Sequence, residues 1–162
     1  MQSFKIIKPI HILTPYVRYY WILEDGADVS VSERTLPTGC IQLVFHRGKR
    51  LLLVGKKESQ PQAFICGQCL NFSDVMSAGK IEMITVVFQP YAARAILQLP
   101  LKFFYGELIA VDAIEDLELS ILSRKVIEAD DHETCIRLIE QFLIHRLYRF
   151  EGYEYNLKRI SA

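Results

Sequence analysis

The period of the apolar residues changes once along this chain, close to Pro90. Before it, apolar and polar residues alternate in short runs. After it, apolar residues recur at spacings of three and four. Alternation lines one face of a strand, whereas the longer spacing lines one face of a helix. A chain patterned this way folds as strands followed by helices, an α+β arrangement, and not as the βαβ units of a parallel sheet.

The first half offers several short strands. In "VRYYWILED" (17–25), Tyr19, Trp21 and Leu23 share a face opposite Arg18, Tyr20 and Glu24, and the run closes at Asp25-Gly26, a turn signal. "ERTLPTGCIQLVFHRGKRLLLVG" reads as a short strand to Leu36, a Pro-Thr-Gly turn, and two strands joined near Arg47-Gly48. There the expected apolar face is Ile41, Leu43 and Phe45, with Gln42 and His46 on the other side. "AFICGQ", "NFSDVMS" and "IEMITVVFQP" (81–90) supply further strands, with a polar loop "KKESQPQ" before them. Short strands at nearly regular spacing predict an antiparallel barrel or sandwich.

The second half offers three helices. "PYAARAILQLP" begins at Pro90, a favoured helix start, and ends before Pro100. "DAIEDLELSILSRKV" has Asp112 as its expected N-cap, and "DDHETCIRLIEQFLIHRLYRF" has Asp130 or Asp131. Ile136, Ile139, Leu143 and Leu147 form a stripe along the last helix. Such a stripe covers either the chain's own sheet or a second subunit; in the second case it is a homodimer contact made through the C-terminal helices.

Composition narrows the function classes. The 162 residues suit one domain, and 51% hydrophobic content suffices for a core. Nineteen basic and nineteen acidic residues cancel; a surface that binds nucleic acid normally carries a basic excess. No apolar run reaches the roughly 18–20 residues of a membrane span, and the N-terminus lacks the pattern of a signal peptide. A cytoplasmic protein with reduced cysteines is expected, without membrane partners.

"FICGQCLNF" (64–72) contains Cys66-Gly67-Gln68-Cys69, the spacing of a thiol redox site or of half a zinc site. Zinc needs four ligands, usually in two pairs, but Cys40 and Cys135 stand apart and His11, His46, His132 and His145 are scattered. A redox cysteine is usually followed by a helix, and "NFSD" is turn-like. No nucleophile elbow, HExxH or phosphate-binding loop occurs. His46 beside Arg47 reads as a surface histidine at a strand end, with a ligand contact as the alternative. The expectation is a non-enzymatic chain with no metal and no cofactor.

"LTPYVRYYWILED" (13–25), "LPTGCIQLVFHRG" (36–48), "FICGQ" (64–68) and "VVFQPYAARAILQLP" (86–100) follow one another in a recognisable order. Together they resemble the N-terminal regulatory domain of a subgroup of AraC-type bacterial transcriptional regulators, over about residues 9–148. The family's acidic turn residue is Thr38 here, and its Gly-Gly pair is Tyr91-Ala92. The resemblance implies a cupin-like β-barrel or sandwich (about 1–90) followed by helices (about 91–150). It implies one sensor or dimerisation domain over 1–150, with 151–162 as the start of a linker. DNA would then be read only by a C-terminal domain with two helix-turn-helix motifs, absent from this sequence.

If that domain senses a small molecule, the pocket is expected in or at the mouth of the barrel. Tyr19, Trp21, Phe45, Phe88 and Tyr91 would line it, with Gln42 or Gln68 as polar anchors. The alternative for the aromatics is simple core filling. The alternative for the chain is a free-standing small-molecule-binding or thiol-active β-barrel protein using Cys66 and Cys69.

Overall fold

The structure, a computed structural model, describes residues 2–26, 32–35, 40–53, 58–67, 73–77, 79–90, 92–99 and 108–149. Among the described residues, ten strands and three α-helices follow the order that the change of period predicts. β1 (Gln2–Ile7), β2 (Val17–Asp25), β4 (Gln42–His46), β7 (Ala63–Cys66), β9 (Ile81–Phe88) and β10 (Ile109–Ala110) form a central sheet. Its order is β1-β2-β9-β4-β7-β10, and each ladder is antiparallel. β3 (Ser32–Thr35), β5 (Leu52–Leu53), β6 (Glu58–Ser59) and β8 (Ser73–Met76) form a second sheet in the order β3-β8-β5-β6. Among the described residues the strands form two antiparallel sheets, with no ladder that joins them into a closed barrel.

The middle of the central sheet is buried on both faces, whereas the edge strand β1 leaves Phe4 and Ile6 exposed. One face packs beneath α1 (Ala93–Leu97), α2 (Leu117–Glu128) and α3 (His132–Arg149), and it contributes Tyr20, Ile22, Leu43, Phe45, Ile65, Ile84, Val86 and Phe88 to one core. The other face meets the second sheet, where Val44, Phe64 and Met83 pack with Val75 and Leu53. This accounts for the near-continuous apolar run of β9. A strand covered on two sides has no solvent face to keep polar. Fully burying a side chain such as Phe45 stabilises by roughly 1.5–3 kcal/mol.

The helices are fixed by local chemistry and by long-range ion pairs. The expected N-cap Asp112 sits instead in a 3-10 turn, Val111–Ala113, and α2 starts later. Asp116 is the cap: its carboxylate accepts from the Leu119 amide at 3.1 Å. Nη2 of Arg146 on α3 donates to both oxygens of the same carboxylate at 2.7 Å, and its Nη1 donates to the Leu97 carbonyl closing α1. One buried guanidinium thus ties three helices together. Asp131, one of the two expected caps of α3, accepts from the Thr134 amide at 2.7 Å. The Thr134 side chain, and after it this amide bond, hold the Asp131 carboxyl below its ordinary pKa.

The stripe on α3 faces inward. Ile136, Ile139 and Leu143 are buried, and Leu147 packs against them, all in the core under the central sheet. This placement follows the first of the two readings of the stripe, cover for the chain's own sheet; a second subunit would have to displace that sheet to reach them.

Candidate functional site

Cross-strand register sets which side chains share the space between the sheets, because directly opposed residues point to one face. Tyr19, Val87, Gln42 and Cys66 form one row across β2, β9, β4 and β7. Trp21, Thr85, Val44 and Phe64 form the next, followed by Leu23, Met83 and His46. Three of the expected ligand residues, Tyr19, Trp21 and Gln42, therefore lie on this face, each half-buried. Trp21 also stands 5.8 Å from the Phe4 ring of β1.

Phe45 and Phe88 do not join them. Both are fully buried on the opposite face, in the core under the helices. Alternation forces this split: Val44 faces the second sheet, so Phe45 cannot. Gln68 and Tyr91, along with Cys69 and Thr38, lie outside the described residues.

Two buried polar atoms on this face, His46 Nδ1 and Thr85 Oγ1, lack partners. His46, expected at the surface, has no exposed area at all, and neither does Thr85. The His46 Nε2 lies 2.8 Å from Gln60 Oε1. With the Gln60 amide so oriented, a carboxamide oxygen only accepts, so this nitrogen carries the proton. Burial pushes the His46 pKa down, against a smaller opposing effect of the Gln60 bond, so the ring is neutral near pH 7 and Nδ1 presents a bare lone pair. Neither His46 Nδ1 nor Thr85 Oγ1 has a hydrogen-bond partner. A buried polar atom without a partner costs about 1–3 kcal/mol. The pair provides an acceptor and a donor–acceptor within an apolar wall, a combination suited to a hydroxyl or amide group on a small uncharged molecule.

A second polar assembly closes the end of the sheet under the α2–α3 turn. Arg47 follows β4 and is almost buried. Its Nε donates to Glu82 Oε1 at 2.7 Å. Its Nη groups donate to the Val126 and Ala129 carbonyls at the end of α2 and reach Cys135 Sγ at 3.1 Å. Gly48 lets the turn after Arg47 lie directly against the start of β9, since a Cβ there would stand 2.7 Å from the Lys80 carbonyl oxygen.

His132 Nε2 lies 2.8 Å from Glu82 Oε1 and 2.9 Å from Glu24 Oε1. These residues line a cleft of about 530 Å³ shared with Asp25, Lys80, Asp130 and Asp131. Sequence inspection missed the assembly, because its members come from four distant segments with no motif spacing.

Partial burial would raise the Glu82 pKa, but hydrogen bonds from Arg47 and His132 prevail and hold it below the ordinary carboxylate value. A depressed carboxylate adds stability above its unfolded pKa and loses it as pH falls through the folded one. Glu82→Gln is expected to flatten the acid limb of stability, measured as urea midpoints from neutral to acid pH in chelator. An unchanged acid limb would show that Glu82 is not its source.

Cys135 is fully buried, and that burial raises its pKa, the opposite of an activated thiol. Among the described residues no helix is long and apolar enough to cross a membrane.

Residues 5–110 match the family model described as a domain of unknown function, DUF6597. No curated protein matches the chain.

Proposed function

The chain belongs to the DUF6597 family, which carries no assigned activity, and from that premise we propose that it is a non-catalytic, cytoplasmic effector-sensing domain of an AraC-type transcription regulator. In this reading the paired sheets are a cupin-like sandwich that takes a small, largely apolar molecule bearing a hydroxyl or amide group. Binding shifts the pose of the domain or of a homodimer, and so changes the DNA affinity of a helix-turn-helix domain. The carrying observation is the pair of fully buried, unpartnered atoms His46 Nδ1 and Thr85 Oγ1 facing the space between the sheets. The ordered sequence resemblance supplies the regulator half of the proposal.

Thr85→Val tests the sensing role. Removing an unsatisfied hydroxyl is expected to leave the fold intact and raise its stability by about 1 kcal/mol. The parent protein, screened by thermal shift against a panel of small hydroxylated and amidated metabolites, is expected to give concentration-dependent stabilisation by some of them. Thr85→Val is expected to lose that response. Stabilisation retained in Thr85→Val, or a panel that never moves the parent midpoint, would sink the reading.

A further inference from the structure

We propose that Glu24, Glu82 and His132 bind one divalent transition-metal ion of the zinc type at the open end of the central sheet. Glu24 Oε1, Glu82 Oε1 and His132 Nε2 come from β2, β9 and the first residue of α3, and all three lie within 4.8 Å of one another. In a tetrahedral zinc site with bonds of about 2.0–2.2 Å, neighbouring ligand atoms stand about 3.3 Å apart. The imidazole nitrogen already stands 2.8 and 2.9 Å from the two carboxylates. An opening of a few tenths of an ångström admits the ion.

Three further observations favour a cation. Glu24 and Glu82 are directly opposed in the β2–β9 ladder, and like charges so placed destabilise a sheet unless a cation intervenes. The cleft lining carries the carboxylates of Glu24, Asp25, Glu82, Asp130 and Asp131 against only Arg47 and Lys80. Finally, Glu82 is held in place: Arg47 Nε donates to the same Oε1 that faces His132, and the guanidinium is itself anchored on the α2 carbonyls. That is the outer-shell support by which metal sites orient their ligands.

The donor set selects the metal class. One imidazole with two carboxylates suits zinc and its neighbours, whereas magnesium and calcium prefer oxygen ligands alone and more of them. A bound ion would clamp the first turn of α3 to the central sheet. This site is independent of the space between the sheets.

The test is titration of the full, chelator-treated chain with ZnCl2, followed by thermal unfolding and by the imidazole NMR signals of His132. Zinc is expected to raise the unfolding midpoint and shift those signals, while MgCl2 does neither. Affinity should fall at least about tenfold in both Glu24→Gln and His132→Gln. Parent-like zinc affinity in either folded variant would overturn the proposal, as would a parent midpoint that zinc leaves unmoved. Glu24 is half-exposed, so its variant decides the matter if His132→Gln fails to fold. Cobalt substitution handles the competing thiols: a sulfur-to-cobalt charge-transfer band at one equivalent would place the ion on cysteine and refute the site.

Discussion

Arg47→Ala is expected to separate the α2–α3 pair from the central sheet and to cost about 3–5 kcal/mol, the range for removing one partner from a buried ion pair. The guanidinium is 9% exposed. Its loss takes the guanidinium from the Glu82 carboxylate, leaving it only His132, and removes the donors that meet the Val126 and Ala129 carbonyls. Those carbonyls end α2, where no further helical amide can reach them. Domains of this size have about 5–15 kcal/mol in all, so much of the total goes with one residue. Arg47→Lys should recover little, because an ammonium cannot span the fork between sheet and helix. Urea unfolding followed by far-ultraviolet circular dichroism measures both variants. A loss below about 1 kcal/mol for Arg47→Ala would mean that the helices are held by apolar packing alone.

Leu143→Glu is expected to leave no stably folded chain at all. Leu143 has no exposed surface and lies in the core between α3 and the central sheet, so the substitution places a carboxylate where no cation stands to meet it. Leu143→Ala, which only opens a cavity, should cost about 2–5 kcal/mol. Sedimentation and circular dichroism separate this from a role between subunits. A folded Leu143→Glu monomer, derived from a parent that sediments as a dimer, would return the stripe to an intersubunit contact.

The α+β order was legible because period is a local property. "IEMITVVFQP" announces β9 by its β-branched run and by the proline that ends it, and the observed strand is Ile81–Phe88. The start of α2 was not legible. Asp112 and Asp116 are equally good caps by type, and the choice rests on Arg146, thirty residues further on. The surface reading of His46 failed for a similar reason. The second sheet that buries it includes strands of only two residues, β5 and β6, too short for any period to show.

The candidate site was half legible. Alternation placed Tyr19 and Trp21 on one face, but it says nothing about whether the other face is also covered, so Phe45 and Phe88 were grouped with them. Glu24, Glu82 and His132 are ordinary surface residue types individually. Only the β2–β9 register and the Asp131 cap bring them together.

That register also bears on the birth of the protein. β2 finds β1 at once, but its other edge waits for β9, the last long strand to be made. At synthesis rates of about 5–20 residues per second, the hairpin of β1 and β2 spends several seconds with an open apolar edge. During that interval Ile22 and Trp21 have no sheet to enter, so the nascent chain is most exposed to aggregation before residue 88 emerges. Pairings this distant also fold slowly once released. Synthesis of this protein should therefore depend on chaperone supply far more than the stability of the finished fold would suggest.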